Sequence, residues 1–124
     1  MVKALVVDDS RAIRMILSRI LQEMGFEVHE AGNGREGLQV LEAQKPGMEL
    51  ILTDWNMPEM NGLEFVKQVR HRPEFSSVPI VMVTTETEVE QMGAALEAGA
   101  TEYVMKPFNK EILVEKLHMI GFTA

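Results

Sequence analysis

The chain contains no cysteine, which excludes disulfides and thiolate metal sites and fits a reducing, cytoplasmic location. Basic residues are in deficit, 12 against 19 acidic, leaving a formal charge of -7. A nucleic-acid partner would call for a basic face, so none is expected. Purely apolar runs extend over only a few residues, so neither a signal peptide nor a membrane span is expected. Histidine occurs three times, as His29, His71 and His118, too scattered for a zinc site and expected at the surface. Tryptophan occurs once, as Trp55.

What is present is ordinary globular material. The 124 residues are 46% hydrophobic and 25% charged, enough for one domain, expected over 1–124, with a core that needs no staples. Ten methionines are expected mainly as core fillers. Strand and helix signals alternate without a linker or repeat. The first strand, about Lys3 to Val7, leads to the cap Ser10 and a helix with Ile13, Ile16, Leu17, Ile20, Leu21 and Met24 at helical spacing, stopped at Gly25. Phe26 to Ala31 reads as the second strand, and Asn33 or Gly34 opens a helix ended by Lys45-Pro46-Gly47. Met48 to Thr53 is the third strand, followed by a helix capped by Asn61 and ended by Arg72-Pro73. Val78 to Val83 is the fourth strand. A helix from Thr87 to Gly99, a short strand Tyr103 to Met105 and a helix capped by Asn109 complete five βα units. Crossovers of this length impose parallel pairing and helices on both faces, so the spacing predicts a doubly wound α/β fold, a five-stranded parallel sheet in the order 2-1-3-4-5.

In such sheets ligands bind beyond the carboxyl ends of the strands, where the strand order reverses. Asp8-Asp9 ends the first strand, Asp54 the third and Lys106 the fifth. One such aspartate alone would pass for a helix cap or turn former. Three converging carboxylates repel unless protons or a divalent cation offset them, and magnesium prefers a few carboxylates with water and phosphate oxygens. Asp54 at a strand tip can also serve as a nucleophile toward phosphorus, with Lys106 holding a phosphoryl oxygen. Thr84-Thr85 ends the fourth strand, and one hydroxyl there can reach the same place, with a merely polar strand end as the alternative. Lys106-Pro107 suggests a cis peptide that aims the ammonium at the pocket, with an ordinary trans turn as the alternative.

Taken together, Asp8-Asp9-Ser10, Asp54-Trp55-Asn56-Met57-Pro58 with Asn61-Gly62-Leu63, Met82-Val83-Thr84, and Gly99-Ala100-Thr101-Glu102-Tyr103 through Lys106-Pro107-Phe108 resemble a response-regulator receiver domain. The resemblance covers essentially the whole chain and is nearest to the single-domain regulators of chemotaxis. It implies that Asp54 accepts a phosphoryl group from a histidine kinase. Magnesium would be held by Asp9, Asp54 and the backbone carbonyl of Asn56, with Asp8 acting partly through water. It further implies that Lys106 contacts the phosphoryl oxygens, that Thr84 and Tyr103 move on activation, and that Asn56 and Glu86 tune dephosphorylation. Such a protein catalyses only its own phosphoryl transfer and hydrolysis. Its altered surface, on the fourth helix, fifth strand and fifth helix, would bind a downstream target such as a flagellar switch protein, and a phosphatase is a further conceivable partner. A receiver from another phosphorelay, or a fragment of a larger regulator, would carry the same residues.

Two features stand apart. Gly32-Asn33-Gly34-Arg35-Glu36-Gly37 spells the G-x-G-x-x-G dinucleotide fingerprint, but it follows an edge strand, away from the switch point. Glu86-Thr87-Glu88-Val89-Glu90 is acidic where the best-known chemotaxis regulators carry lysines, which puts the motor target in question, although Lys116 matches a basic position of that face. A metal-dependent phosphatase acting on outside substrates is disfavoured by Asn56, which stands where a second acid–base carboxylate would be wanted.

Overall fold

The computed structural model describes residues 2–44, 47–85 and 89–122. Its strands β1 (Lys3–Val7), β2 (Glu27–Ala31), β3 (Met48–Thr53), β4 (Ile80–Thr84) and β5 (Glu102–Met105) alternate with helices α1 (Arg11–Glu23), α2 (Gly34–Ala43), α3 (Gly62–Arg70), α4 (Val89–Ala98) and α5 (Lys110–Met119). All pairings are parallel and the order is β2-β1-β3-β4-β5. The expected topology is therefore the observed one. The expected helix start at Thr87 and the breakers Lys45-Pro46 lie outside the described residues.

Side chains alternate across the sheet, and each face buries its own core. Leu5, Val7, Ile51, Ile80, Met82 and Tyr103 point to the side covered by Leu41 of α2, Phe65 and Val66 of α3 and Ala95 of α4. Ala4, Val6, Leu50, Leu52, Val81, Val83 and Val104 point to the side covered by Leu17 and Leu21 of α1 and Leu113 and Leu117 of α5. Of the methionines described, Met48 and Met82 are fully within this core, and Met24, Met57, Met60, Met92 and Met105 pack against it. Met15 and Met119 are exposed instead.

Each expected polar cap closes its helix. Ser10, Asn33, Asn61 and Asn109 accept the backbone N–H of Ile13, Glu36, Glu64 and Ile112 respectively, an arrangement worth about 1 kcal/mol per cap. Strand limits shift for local reasons. Phe26 sends its N–H to Leu21 of α1, so β2 begins one residue later than expected. Pro79 has no N–H to contribute, and β4 begins at Ile80, although the Pro79 carbonyl still accepts from Ile51 at 2.9 Å. The segment after α3 contains a single 3-10 turn, Pro73–Phe75, which buries Phe75.

Glu59, in the loop leading to α3, adopts φ 65°, a left-handed conformation that disfavours a side chain. Glu59→Gly is expected to stabilise the protein by about 1 kcal/mol, seen as a higher thermal midpoint. An unchanged or lower midpoint would show that the strain is relieved by its contacts.

Candidate functional site

β1 and β3 lie side by side, and their ladder ends at the Val7–Thr53 pair. The chain continues from it into Asp8 on one strand and Asp54 on the next. The Asp54 N–H extends the ladder to the Val7 carbonyl at 2.9 Å, and the Asp8 N–H reaches Ala31 of β2 at 3.1 Å. Both carboxylates thus leave rigid strand ends and both are buried, Asp8 at 1% and Asp54 at 8% exposure. Asp9, next along, is exposed.

Lys106 arrives from β5, two strands away from β3, and its flexible stem carries the ammonium across the end of β4. Nζ donates to Asp8 Oδ2 at 2.9 Å and to Asp54 Oδ2 at 3.2 Å. Its backbone N–H is held by the Thr84 carbonyl at 2.9 Å, and the Lys106–Pro107 peptide bond is cis. The remaining carboxylate oxygens are held by backbone. Asp8 Oδ1 accepts from Ser10 N–H at 2.8 Å, and Asp54 Oδ1 from Trp55 N–H at 2.7 Å. Behind Asp54 a Cβ on Gly62 would lie 2.0 Å from the Asp54 carbonyl oxygen. Only glycine lets α3 begin against the site.

Electrostatics follow from this crowding. Burial, and then repulsion by Asp8, push the Asp54 carboxyl above its ordinary range, against the opposing pull of Lys106. Burial alone would weaken the Lys106 ammonium, but its bonds and charge pairing with Asp8 and Asp54 outweigh burial and raise its pKa.

The donor chemistry suits a hard divalent cation. Asp8, Asp9 and Asp54 each offer an oxygen, all within 4.8 Å of one another, close to the span of about 4 Å between opposite ligands of octahedral magnesium. No histidine joins this group among the described residues. Asn56 lies on the exposed rim two residues beyond Asp54. Thr84 is fully buried at the end of β4, and Tyr103, expected to alternate between exposed and buried, is buried here at 5% exposure. Glu86 lies outside the described residues. The expected surface histidines hold for His71 and His118, whereas His29 is half-buried and pairs with Glu27 at 2.8 Å.

The Gly-rich segment serves packing. A Cβ on Gly34 would sit 2.9 Å from Met60 Cγ, and one on Gly37 2.9 Å from Phe65 Cε1. The amides at the start of α2 are also engaged: Gly32 N–H donates to Glu36 Oε1 at 3.2 Å, and Gly34 N–H to the Met60 carbonyl at 3.3 Å. A carboxylate stands where a pyrophosphate would need positive potential.

One contributor was not visible in the strand-end pattern. Arg14, in α1, donates from Nη1 to the Asp8 carbonyl at 2.6 Å and from Nε to Glu30 Oε1 at 3.2 Å. The sequence signal available for it is a cation close to a helix N-terminus, where the macrodipole disfavours one.

Because Asp54 is harder to ionise in the folded chain than in the unfolded one, its ionised form destabilises the fold at neutral pH. That penalty is absent once pH falls below the unfolded carboxyl pKa. In chelator, Asp54→Asn is therefore expected to melt above the parent at pH 7, with the gap closing as pH falls through the carboxylate range. A gap that is absent at pH 7, or that widens in acid, would contradict the assigned strain.

The family model for the response regulator receiver domain matches residues 4–118. The chain is 44% identical over 119 residues to chemotaxis protein CheY1 of Helicobacter pylori, covering 95% of each. It is 45% identical over 116 residues to the CheY homolog of Campylobacter jejuni, covering 93% of this chain and 88% of that one. Among solved structures, the chemotaxis response regulator CheY4 of Vibrio cholerae superposes with a TM-score of 0.88 at 45% identity, covering 97% of this chain and 98% of that one. With the site and the match both spanning nearly its whole length, the chain belongs to the response regulator receiver domains of two-component signalling.

Proposed function

We propose that the chain is a phosphoacceptor switch in which Asp54 takes a phosphoryl group from a phosphohistidine of a partner kinase. The observation that carries this reading is the single ammonium of Lys106 bridging two buried carboxylates at the switch point of the sheet. An Asp54 oxygen bonds to phosphorus as the phosphorus–nitrogen bond breaks, and the departing imidazole takes up a proton. Nucleophile and counter-charge are already fixed on strand ends, so little reorganisation stands between encounter and transfer.

Receiver domains generally use Mg2+ at an acidic pocket, and Asp8, Asp9 and Asp54, with the Asn56 carbonyl, would hold it here. When bound, the ion supplies positive charge against the phosphoryl oxygens. Lys106 exchanges a carboxylate oxygen for a phosphoryl oxygen, keeping its charge compensated. Thr84 closes on the phosphoryl group by its hydroxyl, and Tyr103 on the neighbouring strand follows. A ligand shifts a two-state protein only through unequal contacts with the two states, and these two groups supply the inequality. Asn56 and Glu86, at the positions that tune dephosphorylation in the family, would set the lifetime of the phosphoryl group.

The output face is α4, β5 and α5. Lys116 of α5 pairs there with Glu102 of β5 at 3.5 Å. Homology to chemotaxis regulators favours a target in chemotaxis or flagellar control, and the acidic stretch around Glu88 and Glu90 favours a target of complementary charge. Among the described residues no helix is long and apolar enough to cross a membrane.

Trp55, beside Asp54, reports directly. Its fluorescence is expected to change with magnesium and again with acetyl phosphate or phosphoramidate, the second change being absent in Asp54→Asn. Labelling of Asp54→Asn at parental stoichiometry would refute the assigned acceptor. Lys106→Ala is expected to keep magnesium binding while phosphorylation no longer alters target affinity; a normal target response in that variant would remove Lys106 from the switch.

A further inference from the structure

A cation near the start of a helix is ordinarily unfavourable, because the first turn already presents unpaired N–H groups and the positive end of the macrodipole. α1 has no acidic residue in its first turn to offset one. Arg14 nevertheless stands there, and its guanidinium turns back over the β1–α1 loop. The bond from Nη1 to the Asp8 carbonyl, at 2.6 Å, is short and charge-assisted. Nε simultaneously meets Glu30 at the far end of β2, 3.2 Å away. The planar fork therefore joins the loop to the edge strand.

With that bond every polar group of Asp8 is engaged. Its N–H goes to Ala31, its carbonyl to Arg14, one carboxylate oxygen to Ser10 N–H and the other to Lys106. The carbonyl belongs to the peptide plane that joins Asp8 to Asp9, so holding it sets the direction in which Asp9 leaves. Among the described residues, no hydrogen bond anchors the Asp9 side chain. Asp9 is thus the one member of the carboxylate trio placed by its backbone alone.

We propose that Arg14 is a positioning residue: by clamping the Asp8–Asp9 peptide it places the Asp9 carboxylate and so sets the site's magnesium affinity, without touching metal or phosphoryl group. The proposal rests on the phosphoacceptor reading given above. It also makes a prediction opposite in sign to simple electrostatics. A positive charge close to a dication repels it, so a role through charge alone would make removal of Arg14 tighten magnesium binding. A positioning role makes removal weaken it, by the tenfold to hundredfold typical of residues that orient metal ligands.

The test is magnesium titration of the full chain, followed by Trp55 fluorescence and by calorimetry, for the parent, Arg14→Met and Arg14→Lys. Arg14→Met keeps the aliphatic length and is expected to raise the magnesium midpoint about tenfold. Arg14→Lys keeps the charge but cannot reach both partners as a fork, and an intermediate midpoint is expected. At saturating magnesium both variants are expected to react with acetyl phosphate within about twofold of the parent, the residual effect allowed for a residue outside the reacting atoms. Loss of fold stability alone would leave the midpoint of the folded protein unmoved. An unchanged or tighter midpoint in Arg14→Met would overturn the proposal, as would a rate defect that persists at saturation. Should Arg14→Met not fold, the lysine variant decides by the same midpoint. A parent chain that responds to neither magnesium nor phosphodonor would instead sink the phosphoacceptor reading, independently of Arg14.

Discussion

Two carboxylates at the ends of adjacent strands would drive those ends apart, and in this chain one ammonium prevents it. Lys106 Nζ lies within hydrogen-bond distance of both Asp8 and Asp54, so the burial and repulsion that together raise the Asp54 pKa are opposed by a group from a strand that pairs with neither. The fold follows from that requirement as much as the site does. β1, β3 and β5 must run in the same direction, end at the same level and stand no farther apart than a lysine side chain can span. β4 lies between β3 and β5, and its last carbonyl, that of Thr84, holds the Lys106 N–H at 2.9 Å.

The arrangement leaves the site short of positive charge. One ammonium faces two buried carboxylates and a third, exposed one, an imbalance that a divalent cation or a proton would correct. Stability and ligand readiness are therefore opposed here. Substituting Asp54 should strengthen the resting fold, while its ionised form is the one the proposed phosphoryl transfer needs. Tension of this kind is common where a pKa is displaced by neighbours rather than by burial alone.

The topology and most of this site were legible from residue order. Parallel strands buried on both faces read as short apolar runs, and their carboxyl ends are marked by the residues that break those runs, which is why Asp8, Asp54 and Lys106 could be placed before any coordinates. Contacts made by loops and helix surfaces around the site were not legible. Arg14 looks like any surface cation on an amphipathic helix until the bend of the β1–α1 loop brings the Asp8 carbonyl under it. Gly34 and Gly37 spell a phosphate-binding fingerprint, and only the closeness of Met60 and Phe65 shows that their missing side chains admit neighbours. Backbone conformation at Glu59 was likewise hidden, because no residue preference announces a glutamate at positive φ.

The position of β2 carries a last consequence. Among the described residues it pairs with β1 alone, leaving its other side without a strand partner, and an unpaired edge is a template on which a second molecule could add its own strand. This edge is short and charged: Glu27, His29 and Glu30 occupy three of its five positions, and Glu30 is exposed. A like strand approaching in register would bring carboxylate against carboxylate, so the same acidity that tells against nucleic acid also discourages aggregation by sheet extension.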